Sequence, residues 1–454
     1  MRLDSLLAKI DSVYFLMYDG WREELESNRW HYARRWARHL PVTLLQPQQR
    51  MPRRQKAVAA PGIANCEVLP VLQPRGESIY PLPGLVQAAQ VMEHMASRGH
   101  ERPLLWSYNP WLAALYAALP TVARVYHATE NHFDFEGMPE LFYRELEATL
   151  RVSDLVIPVS SGVADGIRSR LPDANLAVVT NGCDTACYSP SDPENVEVAT
   201  AREGFSRIAV FAGNINDRVD FELVERAAEA NDTTLVVFAG PVGPLDERDT
   251  AIWQRVVGMQ SVRHLGRMTA DELAALYRCA DVGFIPYRQK DWIVRNGFPL
   301  KTLEMAATGL PVVASRMQPI VGLASAIAVA DDEQSFLDSF ASLSRSVLTE
   351  GEKAELLEVA AANDYDRKFE QVVALVTDAI PPDGAPHTRL DDLMLELGYE
   401  PWSASCIRIF DRFKSSPAVA LSLLYDMLSQ QSPTWSHRLV PAWLKNQIRN
   451  LRIE

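Results

Sequence analysis

Two successive doubly wound α/β halves, each on its own parallel sheet, are what this sequence predicts. Short apolar, β-branched runs alternate with amphipathic stretches of helical spacing, the pattern of strands joined by crossover helices. The alternation is interrupted by the polar, turn-rich "YSPSDPENVEVATAREG" (188–204) and then restarts. At 454 residues the chain also exceeds one ordinary domain.

Taken in order, "SVYFLMY" (12–18) reads as a buried strand. A helix follows, with Trp30, Ala33, Ala37 and Leu40 on one face. "VTLLQ" (42–46), "PLLWSY" (103–108), "RVYHA" (124–128), "DLVIPVS" (154–160) and "LAVVTNG" (176–182) are the next strands. "MPELFYRELEATLRVS" and "VADGIRSRL" are helices between them. In the second half, "RIAVFAGNI" (207–215), "TTLVVFAG" (233–240), "VRHLGRM" (262–268), "DVGFIPY" (281–287) and "LPVVAS" are strands. Helices "FELVERAAEA", "ADELAALYRCA" and the stretch before Gly309 lie between them. "DAIPPDGAPHTR" (378–389) is a second break, after which the chain reads as helical. The expected units are 1–190, 204–378 and a helical C-terminal extension, 388–454.

Composition limits the function classes. Apolar residues make up 47% and charged residues 23%, a soluble globular balance. No apolar run approaches the roughly 20 residues of a membrane span, and no signal-peptide pattern opens the chain. Five scattered cysteines argue against a disulfide framework and for a reducing, cytoplasmic setting. Cys183 and Cys187 lack the second pair or nearby His of a zinc site, so no metal is expected. A net charge of −13 speaks against nucleic acid as partner.

"RNGFPLKTLEMAATGLPVVAS" (295–315) carries the chemistry. In open parallel sheets, ligands sit beyond the carboxyl ends of the strands, and a helix N-terminus there receives phosphate. Gly297 permits close backbone approach, Pro299 suits a first turn, and Lys301 adds a positive charge. Glu304, one turn on, is placed to accept from the two hydroxyls of a ribose. The plain alternative is a turn followed by a solvated helix face.

The same stretch resembles the nucleotide-binding signature of group 1 glycosyltransferases, in which a Glu-x7-Glu pattern runs into "EAMACGLPVVAS". "ADVGFIPY", "FAGNINDRVDFELVERAAE" and "SDLVIPVSSGVADGIRSRL…VVTNGCDTACYSP" match that family in order, over roughly 13–369. The resemblance implies a GT-B fold: two facing Rossmann-like domains, the second binding a nucleotide diphosphate sugar as co-substrate, with no further cofactor. Glu304 matches the second Glu, which holds the donor ribose, while the first falls at Asn296. Asn214 follows Gly213 where the family has Arg, and Arg218 lies near its Lys position. A subgroup reading "Gly-Asn-Ile…Arg-Val-Asp" and "Pro-Leu-Lys" makes Arg218 and Lys301 the diphosphate clamp. Gly213, Asn214, Arg263, His264, Asn296, Gly297, Phe298, Leu300 and Glu304 complete the donor site so implied.

"VYHATENHFDFEG" (125–137) follows a strand end. The family places a cleft-lining, sugar-contacting His here, and His127 matches it. Glu130 and Asp134 are candidates for a base if the enzyme inverts. Retention, the expected course, needs no such base. "WREELESNRWHYARRWARHLP" mixes Trp21, Trp30, Tyr32 and Trp36 with arginines, and no acid occurs from Asn28 to Cys66. This segment (21–56) and the amphipathic end (435–454) read as peripheral contacts with the inner membrane face, reaching a glycan or lipid-linked acceptor. The alternative is that both pack on the core. The reading is therefore a glycosyltransferase of polysaccharide or cell-envelope synthesis. Its rivals are a nucleotide-sugar epimerase on the same fold and a catalytically silent scaffold, the latter kept open by Asn296.

Overall fold

A computed structural model describes residues 2–17, 20–21, 27–48, 56–72, 82–189, 204–382 and 384–396. The apolar runs become two sheets. The first has seven strands: β1 (Ser12–Leu16), β2 (Val42–Gln48), β3 (Val58–Ala59), β4 (Cys66–Leu72), β5 (Pro103–Ser107), β6 (Ala123–Ala128) and β7 (Leu155–Pro158). Their order is β3-β4-β2-β1-β5-β6-β7, parallel except for the short β3 against β4. The second holds β8 (Arg207–Ala212), β9 (Thr234–Ala239), β10 (Val262–Gly266), β11 (Val282–Ile285), β12 (Val312–Ser315) and β13 (Ile327–Ala330). Its order is β10-β9-β8-β11-β12-β13, parallel throughout. In both, the chain reverses direction across the sheet beside the first strand, and the adjoining loops open a crevice there. Two Rossmann-like domains of GT-B arrangement result.

The strands form where expected because each is covered on both faces, which demands continuous apolar runs. All of β1, β5 and β6 is buried. Leu176–Gly182 is the exception among the expected strands. It makes one bridge to Val156 and one further backbone bond along β7, from Val179 to Pro158, then turns toward the second domain.

The structure moves one boundary. Helix Tyr365–Ala379, expected in the second domain, packs its Tyr365, Phe369, Val372, Val373 and Val376 into the first domain's core with Val13, Phe15, Trp36 and Trp106. Arg35, on helix Asn28–Ala37, and Arg38, just past its end, both hold Asp366 at its start. Helix Leu390–Glu396, the described part of the expected extension, also seats Leu390 and Leu393 on the first domain.

The membrane reading of the segment from Trp21 is corrected over its described residues. Trp30, Tyr32 and Trp36 are 7%, 0% and 0% exposed, so no aromatic face is left for a bilayer. Arg34 pairs with Asp184, and Arg35 and Arg38 with Asp366. Residues 22–26, 49–55 and 435–454 lie outside the described residues. No described helix is long and apolar enough to cross a membrane.

Candidate active site

A cleft of about 760 Å³ opens between the domains. Its walls come from the loops after β6, β7, β8 and β11 and from Gly297–Leu300, as the crevice rule anticipates. Glu130, Arg218, Asn296, Gly297, Phe298 and Leu300 all line it.

Arg218 sits on the loop after β8. Asn216 fixes that loop by accepting from the Arg218 N–H at 3.1 Å, and Val219 bridges to Tyr287. The Arg218 guanidinium lies 5.0 Å from the Trp292 ring centre and donates to Glu130 Oε1 at 2.7 Å. Burial works against its charge, but the Glu130 carboxylate more than offsets that and holds the group above its ordinary value.

Lys301 occupies the second position of helix Leu300–Ala307 and is 8% exposed. Its ammonium lies 3.8 Å from the Phe211 ring centre and donates to the Tyr287 hydroxyl at 3.1 Å. Gly213 makes room for it: that residue has φ +121°, and a β-carbon there would stand 2.9 Å from Lys301 Nζ. Among the described residues no carboxylate pairs with Lys301. A buried ammonium without a counter-ion is costly unless an anion meets it.

Glu304 is half-buried one turn deeper. The Tyr277 hydroxyl donates to it at 3.5 Å, and burial first, with the Glu304 charge a smaller contribution, raises the Cys183 thiol and the Tyr365 hydroxyl. Lys301 and Glu304 stand deeper on the helix than Leu300, the last of its residues to line the cleft.

The first domain closes over these groups. Asn296 Nδ2 donates to Asp134 at 2.9 Å, and its carbonyl accepts from the Ser160 hydroxyl. Asn181, at the end of the expected strand 176–182 and not singled out in sequence, donates to the Phe298 carbonyl at 3.0 Å and accepts from Asn28, which in turn accepts from Tyr108. Tyr287 and Trp292 were not singled out in sequence either. Both lie in the strand–helix stretch just before Asn296, where an aromatic reads equally as core.

Other expected residues stand elsewhere. His127 does not line the cleft. It is fully buried among Tyr32, Trp106 and Tyr108, with ring centres 5.1–5.5 Å away, and neither nitrogen has a hydrogen-bond partner among the described residues. Burial alone pulls its pKa down to about 3, so it is neutral. Arg263 bends back to the carbonyls of Gln260 and Val262 on the edge strand β10. His264 lies 2.8 Å from the Gly240 carbonyl, against Trp253. Neither reaches the cleft. The close approach at Gly297 is first to its own chain: a β-carbon there would stand 2.6 Å from the Ile293 carbonyl. Asn214 is exposed beside Gly213. Among the described residues, no group of three or more His, Cys, Asp or Glu is placed to hold a metal ion.

Residues 206–346, nearly all of the second sheet and its helices, match the model of the family described as "Glycosyl transferases group 1". D-inositol 3-phosphate glycosyltransferase of Corynebacterium efficiens is 30% identical over 179 residues, 37% of this chain and 39% of that protein. The protein of that name from Mycobacteroides abscessus is 27% identical over 238 residues, 50% of this chain and 51% of that one. The chain spans about two fifths of the length of the first of these. Sucrose-phosphate synthase from Thermosynechococcus elongatus superposes with a TM-score of 0.60 at 15% identity, covering 81% of this chain and 98% of that one. Anabaena HepE in complex with UDP and glucose gives 0.58 at 13%, covering 81% and 100%. At these identities the structural likeness speaks for the fold.

Proposed function

We propose that this chain is a glycosyltransferase that moves a sugar from a nucleoside diphosphate sugar to a hydroxyl of a glycan or lipid-linked acceptor, with retention of configuration. The observation that carries the reading is Lys301: a buried ammonium at a helix start, beside Gly213 and bonded to the cleft-lining Tyr287, with no carboxylate partner among the described residues. The match of residues 206–346 to a glycosyltransferase family supports it, since that half contains Lys301, Arg218 and Glu304. Solved relatives of the same fold hold UDP and glucose, which supports a nucleotide sugar as donor.

In this reading the bond between the anomeric carbon and the diphosphate oxygen breaks as the bond to the acceptor oxygen forms. Lys301, Arg218 and the free N–H groups at the start of helix Leu300–Ala307 meet the charge growing on the diphosphate. Glu304 holds the ribose. The acceptor's proton passes to the departing phosphate oxygen, so no protein base is required. Asp134, held at Asn296, offers sugar hydroxyls the carboxylate that the motif lacks at position 296. Closure of the domains limits donor hydrolysis. The setting is polysaccharide or cell-envelope synthesis on the cytoplasmic side of a membrane.

The test is a thermal-shift screen against UDP, GDP and their sugars, repeated on Lys301→Ala and Glu304→Ala. Stabilisation of the wild type by one nucleotide, lost in both variants, is expected. Stabilisation by none overturns the reading. Release of free nucleoside diphosphate that depends on an acceptor extract separates transfer from epimerisation.

A further inference from the structure

Two cations flank Tyr287 at the cleft, and they differ in one respect. Lys301 has no carboxylate partner among the described residues, whereas Arg218 is held by Glu130 from the opposite domain, through one nitrogen at 2.7 Å. Both members of that pair remain about a third exposed, so it is an exchangeable contact and not a buried strut. Other ties across the cleft, Asp134 to Asn296 and Arg295, Ser160 to the Asn296 carbonyl and Asn181 to the Phe298 carbonyl, use no cation of the proposed diphosphate clamp.

We infer that Glu130 is an anionic stand-in for the donor: it occupies Arg218 while the cleft is empty and is displaced when a diphosphate arrives. The inference rests on the reading of Arg218 and Lys301 as the diphosphate clamp. A diphosphate drawn to Lys301 comes up against the Glu130 carboxylate, and two anions on one guanidinium repel. The diphosphate prevails because it also gains Lys301 and the helix N–H groups, which Glu130 does not reach. Two consequences follow. Donor entry breaks the ion pair that ties the loop after β6 to the loop after β8, so these two loops part while the other ties keep the domains together. It also frees a carboxylate on the acceptor's side only once a donor is seated, which makes binding ordered, donor first. Until then, Glu130 neutralises Arg218 and keeps stray inorganic anions from settling in the cleft.

The experiment is calorimetric titration of UDP, and separately of inorganic pyrophosphate, into the wild type, Glu130→Gln, Arg218→Met and the double variant. Glu130→Gln should tighten both ligands by about three- to tenfold, the range of a partly exposed ion pair plus the loss of one like charge. The gain should vanish in the Arg218→Met background. Glu130→Ala serves as a second variant should the amide form a new bond to Arg218. Unchanged or weaker binding by both Glu130 variants, with wild-type binding still sensitive to Lys301→Met, overturns the stand-in alone. So does a gain that persists without Arg218, which would make Glu130 a general repulsive charge. Absence of nucleotide and pyrophosphate binding in every protein overturns this inference together with the clamp it rests on.

Discussion

Replacing Lys301 with Met separates the cost of a buried charge from its use. Unliganded, the ammonium gains a cation–π contact with Phe211 and a hydrogen bond to Tyr287, together about 1–3 kcal/mol. Against that stands desolvation of a group 8% exposed with no counter-ion, a cost of several kcal/mol for a buried ion. Methionine keeps the stem's volume and its contact with the aromatic rings. The expected outcome is that the unliganded variant unfolds at the wild-type temperature or above. Affinity for the nucleoside diphosphate moves the opposite way. Loss of a charge-assisted hydrogen bond, about 1.5–3 kcal/mol, weakens Kd by roughly 10- to 150-fold. Differential scanning calorimetry and UDP titration on the same preparations check both halves. A Kd within threefold of wild type, or a loss of more than about 2 kcal/mol in unliganded stability, would refute the claim that this ammonium is stored for an anion.

The remaining predictions concern side chains around the same cleft. Asn181→Ala removes both the tie to the Phe298 carbonyl and the partner of Asn28; it should cost about 1–3 kcal/mol of stability and raise the donor KM, read by thermal unfolding and initial rates. Burial raises the Glu145 carboxyl to about 8. A folded pKa above the unfolded one gives stability that is complete below about pH 4 and lost as pH rises toward 8. Glu145→Gln should therefore leave the unfolding temperature unchanged at pH 4 and raise stability by roughly 2–4 kcal/mol at pH 8. His127 has the reverse sign: a base held down to about 3 contributes stability present above about pH 6.5 and lost as pH falls toward 3. His127→Phe keeps the aromatic packing and should flatten that acid limb; a limb as steep as wild type would show that another group titrates there.

Legibility in the sequence followed how local each cause is. Strands covered on both faces require unbroken apolar runs, so β1, β5, β6, β8, β9, β11 and β12 can be read directly. β4 was missed because "CEVLPVL" carries Glu67 and Pro70. Its place beside the two-residue edge strand β3, which meets it only at Glu67 and Val68, leaves Pro70 without a lost ladder bond on that side. At the site, the Gly-Phe-Pro-Leu-Lys start was legible as residue types suited to a diphosphate, and Arg218 came from the family resemblance. Asn181 was not, because its partners Asn28 and Phe298 are more than a hundred residues away on either side.

By itself the sequence determined two parallel α/β sheets, the break between them and a helix that starts at Gly-Phe-Pro-Leu-Lys. Those follow from periodicity and backbone chemistry within a few residues. Tertiary structure alone decided that helix Tyr365–Ala379 crosses back to the first core, that Trp30, Tyr32 and Trp36 face inward, and that His127 lies behind the cleft wall. An amphipathic face specifies that it must be covered, and only the packed chain specifies by what. The same holds for charge: Glu130 and Arg218 carry no mark of each other along the chain, and their pairing exists because two sheets present their carboxyl ends to one gap.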